Sequence, residues 1–117
     1  MIIKILILLV ALEHLYILWV EMFSWNKQGK KIFKSIPEDL FEKTKTMARN
    51  QGLYNGFLFA GLIWSLVIKD DIWSKNIAIY FLSCILMAGI YGAVTSDKKI
   101  FLKQGLPALI TLLLIFI

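Results

Sequence analysis

The stretch I-I-K-I-L-I-L-L-V-A-L-E-H-L-Y-I-L-W-V-E-M-F-S-W, from Ile2 to Trp25, is almost wholly apolar, yet it carries Glu13, His14 and Glu21. At 1.5 Å rise per residue, about 20 residues of helix cross a ~30 Å hydrocarbon core, so this run is long enough to span a membrane once. A charged side chain near the bilayer centre costs very roughly 2 to 3 kcal/mol on insertion scales and therefore needs a partner, water or a proton. At about 100° per residue, His14 and Glu21 fall about 20° apart around the helix, with Glu13 within about 100° of His14. One side of the helix thus carries all three, and that side is expected to face other helices.

The rest of the chain repeats the pattern. Its 117 residues are 59% hydrophobic and only 18% charged, and three more apolar runs follow at about 50–68, 77–95 and 100–117. The expected fold is all-α, an integral membrane four-helix bundle forming a single transmembrane domain over 1–117, with no room for a separate soluble domain. Lys4 ahead of Ile5 to Leu12 imitates a signal peptide, but no small-x-small cleavage site follows and the apolar character resumes after His14. The segment is therefore read as a retained helix. Cys84, the only cysteine, cannot form an internal disulfide and is read as packing.

Charge placement orients the helices. Ten of the 13 basic residues lie in two connections: Lys27, Lys30, Lys31, Lys34, Lys43, Lys45 and Arg49 in the first, Lys98, Lys99 and Lys103 in the third. The positive-inside rule then places both connections in the cytoplasm, and both termini and the 69–76 turn outside a multi-pass cell-membrane protein. The net charge of +5 is accounted for by topology and contact with the lipid bilayer, and calls for no nucleic acid. Within the connection 26–49, Ser35, Pro37 and Glu38 resemble a capping box. Leu40, Thr44 and Met47 then recur near helical spacing, which suits an interfacial helix or a solvated connector.

With that topology several polar residues share one depth. Glu21 lies near the cytoplasmic end of the first run; Arg49, Asn50, Gln51 and Asn55 open the second, Tyr91 and Thr95 close the third, and Gln104 opens the fourth. Gly52 and Gly56 form a G-x-x-x-G pair, and Gly89 and Gly92 flank Tyr91, so helix backbones can approach closely at these positions. Pro107 removes the donor that the Lys103 carbonyl would use, which predicts a kink in the fourth helix. The expected result is a cytoplasm-facing polar pocket ringed by Glu21, Arg49, Asn55, Tyr91 and Gln104, with Glu13 and His14 deeper. Blander readings exist for most members. Arg49 and Asn50 suit headgroup anchoring, Asn55, Thr95 and Gln104 suit interhelical bonding, and Tyr16, Trp19, Trp25, Tyr54, Trp64, Trp73 and Tyr80 include interface-belt anchors. One His and two Glu on a single helix lack the close spacing of a metal site, and no cofactor motif occurs.

The runs A-L-E-H-L-Y-I-L-W-V-E-M-F (Ala11 to Phe23), R-N-Q-G-L-Y-N-G-F-L (Arg49 to Leu58), G-I-Y-G-A-V-T (Gly89 to Thr95) and Q-G-L-P-A (Gln104 to Ala108) resemble the domain of unknown function 1304 family. The resemblance covers essentially the whole chain and implies a small four-helix membrane protein, without supplying an activity.

Three functions fit these residues. A carrier or binding protein would use Glu21 or Glu13 to exchange a proton as a small-molecule ligand binds. In size and in its membrane-embedded Glu it is similar to the small multidrug resistance exporters, which work as homodimers. An intramembrane enzyme would use His14 and Glu21 as acid and base on a lipid-like substrate, although the two lie about 10 Å apart along the helix. A structural subunit would use the polar network only to fix helix register.

Overall fold

The computed structural model describes residues 1–117 and contains helices and connections only. Helix α1 runs from Ile2 to Phe23, and a π-helical turn at Trp25–Gly29 and the short α2, Lys30–Ile32, continue beyond it. Ser24 interrupts the α-helical path at φ −141° and ψ 32°. Its Oγ accepts the Gln28 amide at 3.3 Å and its carbonyl accepts the Gly29 amide at 3.0 Å, the i→i+5 spacing of a π turn. After a turn come α3 (Leu40–Lys43), α4 (Lys45–Val67), α5 (Asp71–Thr95) and α6 (Lys98–Ile100). A second π turn, Phe101–Gly105, then leads into α7 (Leu106–Phe116).

Three helical stretches are long and apolar enough to cross a membrane: Ile2–Phe23, Asp71–Thr95 and Lys98–Phe116. Four were expected. Helix α4 has the length, 23 residues, but Asn50, Gln51 and Asn55 dilute the apolarity of its first half. Large apolar side chains lie exposed along the helices, among them Leu9, Leu12 and Trp19 on α1, Met87 and Val94 on α5, and Leu113 and Phe116 on α7. So much uncovered apolar surface calls for lipid or another apolar partner.

Contacts divide the chain into two units, Met1–Leu12 with Leu58–Ile117, and Glu13–Phe57. The first unit has an aliphatic core of Ile7, Val10, Ala11, Leu62, Ala78, Leu82, Ile85, Ala108 and Leu112. Only three residues, 68–70, separate α4 from α5, and Asp70 caps α5 by accepting the Trp73 amide at 3.0 Å. Ser74 donates to the Ser65 carbonyl at 2.5 Å and so ties the start of α5 to α4. Helix α5 packs against α6, the second π turn and α7. Where a kink was expected at Pro107, the chain has this π turn immediately ahead of it, closed by the Leu106 amide on the Phe101 carbonyl.

The second unit has an aromatic core. Trp25, Phe41 and Ala48 are buried, with Phe33 and Ile36 packed against them, and the Trp25 ring centroid lies 4.8 Å from that of Phe41 and 5.3 Å from that of Phe33. Trp25 Nε1 donates to Thr44 Oγ1 at 3.1 Å, and Thr44 Oγ1 donates back to the Leu40 carbonyl at 2.8 Å. Trp25 is therefore a core residue and not an interface-belt anchor. The helix start expected at Ser35 is also displaced: Ser35 lies in a turn and α3 begins at Leu40. Phe41 is the residue that must reach Trp25, so the ordered turn forms around it.

Candidate functional site

The polar residues singled out above fall in both units. Glu13, His14, Glu21, Arg49, Asn50, Gln51 and Asn55 belong to the second, and Tyr91, Thr95 and Gln104 to the first.

In the second unit, the geometry is set by glycine. A Cβ on Gly52 would stand 2.5 Å from Met22 Cγ, 3.2 Å from Glu21 Cβ and 3.2 Å from the Leu18 carbonyl oxygen; one on Gly56 would stand 2.7 Å from Leu18 Cδ1. The G-x-x-x-G pair thus lets α4 lie against the last turns of α1. Asn55, between the two glycines, reaches across this contact and its Nδ2 donates to Glu21 Oε1 at 2.6 Å. The same amide nitrogen donates to the Gln51 carbonyl at 3.1 Å, so both of its hydrogens are used. Glu21 is held by a neutral amide that brings a hydrogen bond but no charge. Arg49, expected in the same polar pocket as Glu21 and Asn55, is exposed and makes no ion pair with Glu21. Asn50 Nδ2 turns back to the Thr46 carbonyl at 3.1 Å, and the Gln51 side chain is exposed.

Deeper along α1, His14 is fully buried and Glu13 half-buried, with Glu13 Oε1 shielded and accepting no hydrogen bond. His14 stands seven residues from Glu21, about 10 Å along the helix axis, too far for direct proton transfer between them. No group of three or more His, Cys, Asp or Glu side chains is arranged to hold a metal.

In the first unit, Tyr91 is exposed and Thr95 Oγ1 donates to the Tyr91 carbonyl at 2.7 Å, a bond within one turn of α5. Gln104 lies in the second π turn. Beside it, Gly105 meets Gly89 so closely that a Cβ on Gly89 would stand 2.7 Å from Gly105 Cα; one on Gly92 would stand 2.9 Å from Ile100 Cγ2. Gly89 and Gly92 therefore serve the packing of α5 on the following segments.

One polar cluster escaped the sequence reading. Asn26 Nδ2 donates to Glu42 Oε2 at 2.7 Å beside the Trp25–Thr44 bond, so two side-chain bonds fasten the first π turn to α3 and its C-terminal cap. The signal available was the spacing of Trp25, Phe33 and Phe41 within an otherwise basic connection.

A family model described as "Protein of unknown function (DUF1304)" matches residues 8–116. A relative from Lactococcus lactis subsp. lactis (strain IL1403), described as "Uncharacterized protein YpaA", is 37% identical over 111 residues, covering 93% of this chain and 92% of its own. No solved structure matches the fold. The family match spans all the polar positions discussed here, and the chain belongs to the DUF1304 family of proteins of unknown function.

Proposed function

We propose that the chain is a four-helix integral membrane protein, with α4 as the fourth and most polar span, and that Glu21 and Asn55 form the centre of a site for a small cationic molecule whose binding is linked to a proton. The observation that supports this is the Glu21–Asn55 bond at 2.6 Å. Asn55 orients the carboxylate without neutralising it, and an ionised carboxylate among apolar helices needs a counter-charge. A proton or a cationic solute supplies one, and each excludes the other. Gln51, Asn50 and Arg49 lie toward the start of α4, on the side that the distribution of basic residues assigns to the cytoplasm. Tyr91, Thr95 and Gln104 are left out of this site.

The structural-subunit reading also has an observation in its favour, since both hydrogens of the Asn55 amide are already satisfied and the glycines beside it pack tightly. An acid–base reaction by His14 and Glu21 would have to bridge the roughly 10 Å of helix between them. The test is calorimetric titration of the purified protein with tetraphenylphosphonium, a lipophilic cation, in buffers of different ionisation enthalpy. Binding accompanied by release of about one proton per cation, lost in Glu21→Gln, is expected, because the amide keeps the shape but exchanges no proton. Binding without proton release, or no binding by the native protein, removes this reading and leaves the structural one.

A further inference from the structure

The segment from Trp25 to Lys34 has two faces of opposite character. Trp25, Gly29 and Phe33, four residues apart, turn inward: Trp25 and Gly29 are buried, and the Phe33 ring packs at a tilt against the Trp25 ring. Gly29 has to be small, because a Cβ there would stand 2.9 Å from Trp25 Cε3 and 3.3 Å from Phe41 Cε1. The intervening positions carry Lys27, Lys30, Lys31 and Lys34, spaced i, i+3, i+4 and i+7. Lys27, Lys31 and Lys34 are exposed, and Lys30 is half-buried, as when an aliphatic stem lies along a surface and its ammonium group projects from it.

None of these four lysines has its charge matched within the protein. The acidic residues of the connection are Glu38, Asp39 and Glu42; Glu42 accepts from Asn26, and none of the three forms an ion pair with a lysine. The cations are nevertheless not on a loose tether. The tilted aromatic contacts of Trp25 with Phe33 and Phe41, the Trp25–Thr44 bond and the Asn26–Glu42 bond hold the segment in one arrangement. The segment also starts two residues after α1 ends at Phe23, so if α1 crosses the bilayer its lysines stand at headgroup depth.

We propose that the basic outer face formed by Lys27, Lys30, Lys31 and Lys34 is a docking surface for the headgroups of anionic phospholipids, held in shape by the aromatic core behind it. Its occupant is argued from charge complementarity and from depth: a folded, unpaired basic face beside the end of a span meets headgroup phosphates first. The inference uses only the membrane-spanning part of the proposed function, and neither Glu21 nor a bound solute enters it.

The experiment reconstitutes the full chain into bilayers of mixed phosphatidylcholine and phosphatidylglycerol and measures, with spin-labelled lipids, the association of each lipid with the protein. Phosphatidylglycerol is expected to be preferred at least about threefold at low salt, the preference shrinking as salt screens it. The substitutions K27Q, K30Q, K31Q and K34Q together are expected to abolish most of it, while K69Q with K75Q, in the 69–76 turn expected on the opposite side of the bilayer, leaves it intact. Equal association of the two lipids with the native protein overturns the proposal, as does a preference that survives the four substitutions. Should the fourfold variant fail to fold, the salt dependence of the native protein decides: a preference indifferent to salt is not a headgroup contact of this kind. Failure of the chain to insert into bilayers at all would instead break the membrane reading beneath it.

Discussion

Glycine allows close packing at several places in this molecule, and at two of them the closeness serves different ends. In the first unit Gly89 of α5 lies against Gly105, with main-chain atoms as its nearest neighbours. In the second unit Gly52 of α4 lies against Met22, Glu21 and Leu18, and the turn that follows delivers Asn55 to the Glu21 carboxylate. Where only packing is required, two small residues suffice and no polar side chain is needed. At Gly52 the same device joins a carboxylate to an amide, a pairing that packing alone does not require.

The largest effect is expected where the neighbour cannot move. In Gly89→Ala the new Cβ would stand 2.7 Å from Gly105 Cα and 2.9 Å from Gly105 N, so relief requires shifting a backbone, and a loss of about 3 kcal/mol is expected in thermal denaturation of the purified protein. Gly105→Ala sharpens the comparison. Its Cβ would meet the Phe101 ring, at 2.6 Å from Cδ1, and a side chain has more freedom to give than a main chain. A larger cost at Gly105 than at Gly89 would mean that the Phe101 ring, not the backbone contact, limits packing here.

Gly52→Ala is expected to cost less, about 1 to 2 kcal/mol, because the closest atom, Met22 Cγ at 2.5 Å, is a side-chain atom and the nearest backbone atom, the Leu18 carbonyl oxygen, stands farther off at 3.2 Å. It should nevertheless weaken tetraphenylphosphonium binding by more than its effect on stability suggests, since the displacement separates Asn55 from Glu21. Unchanged binding alongside reduced stability would place Gly52 with Gly89, as packing only.

How far the sequence reached differs between the two units for a physical reason. The long apolar helices α1 and α5 follow from hydropathy and length, both local properties of the chain. The meeting of Glu21 with Asn55 was partly within reach, because depth in the membrane groups Glu21 with Arg49, Asn55, Tyr91 and Gln104, though only the packed geometry selects Asn55 as its partner. The aromatic core was not legible. Trp25, Gly29 and Phe33 keep a four-residue spacing, but lysines fill the positions between them and a turn intervenes before Phe41, so the pattern is too short to mark one buried side, and a Trp at the end of an apolar run has the ordinary reading of an interface anchor. Likewise the capping-box pattern at Ser35 and Glu38 gave way because the helix begins later, at Leu40, where Phe41 reaches the core beside Trp25.

The smallest expected effect bears most directly on whether the Gly52 contact is used differently from the Gly89 contact. If the Glu21–Asn55 bond contributes on its own, Glu21→Ala and Asn55→Ala should be non-additive, with a coupling of about 0.6 kcal/mol and at most about 1.7, the range measured for hydrogen bonds between membrane helices. The coupling is small because, with Asn55 removed, the carboxylate can take a proton or water in its place, and because the amide retains its bond to the Gln51 carbonyl. Arg49→Leu supplies the contrast: Arg49 is exposed and makes no ion pair, so its effect should add to that of Glu21→Ala without coupling. Thermal denaturation of the single and double variants in one detergent measures both cycles together. Coupling of Glu21 to Arg49 that exceeds its coupling to Asn55 would show that the carboxylate answers to a charge after all, and the argument for an uncompensated site at Glu21 would fall with it.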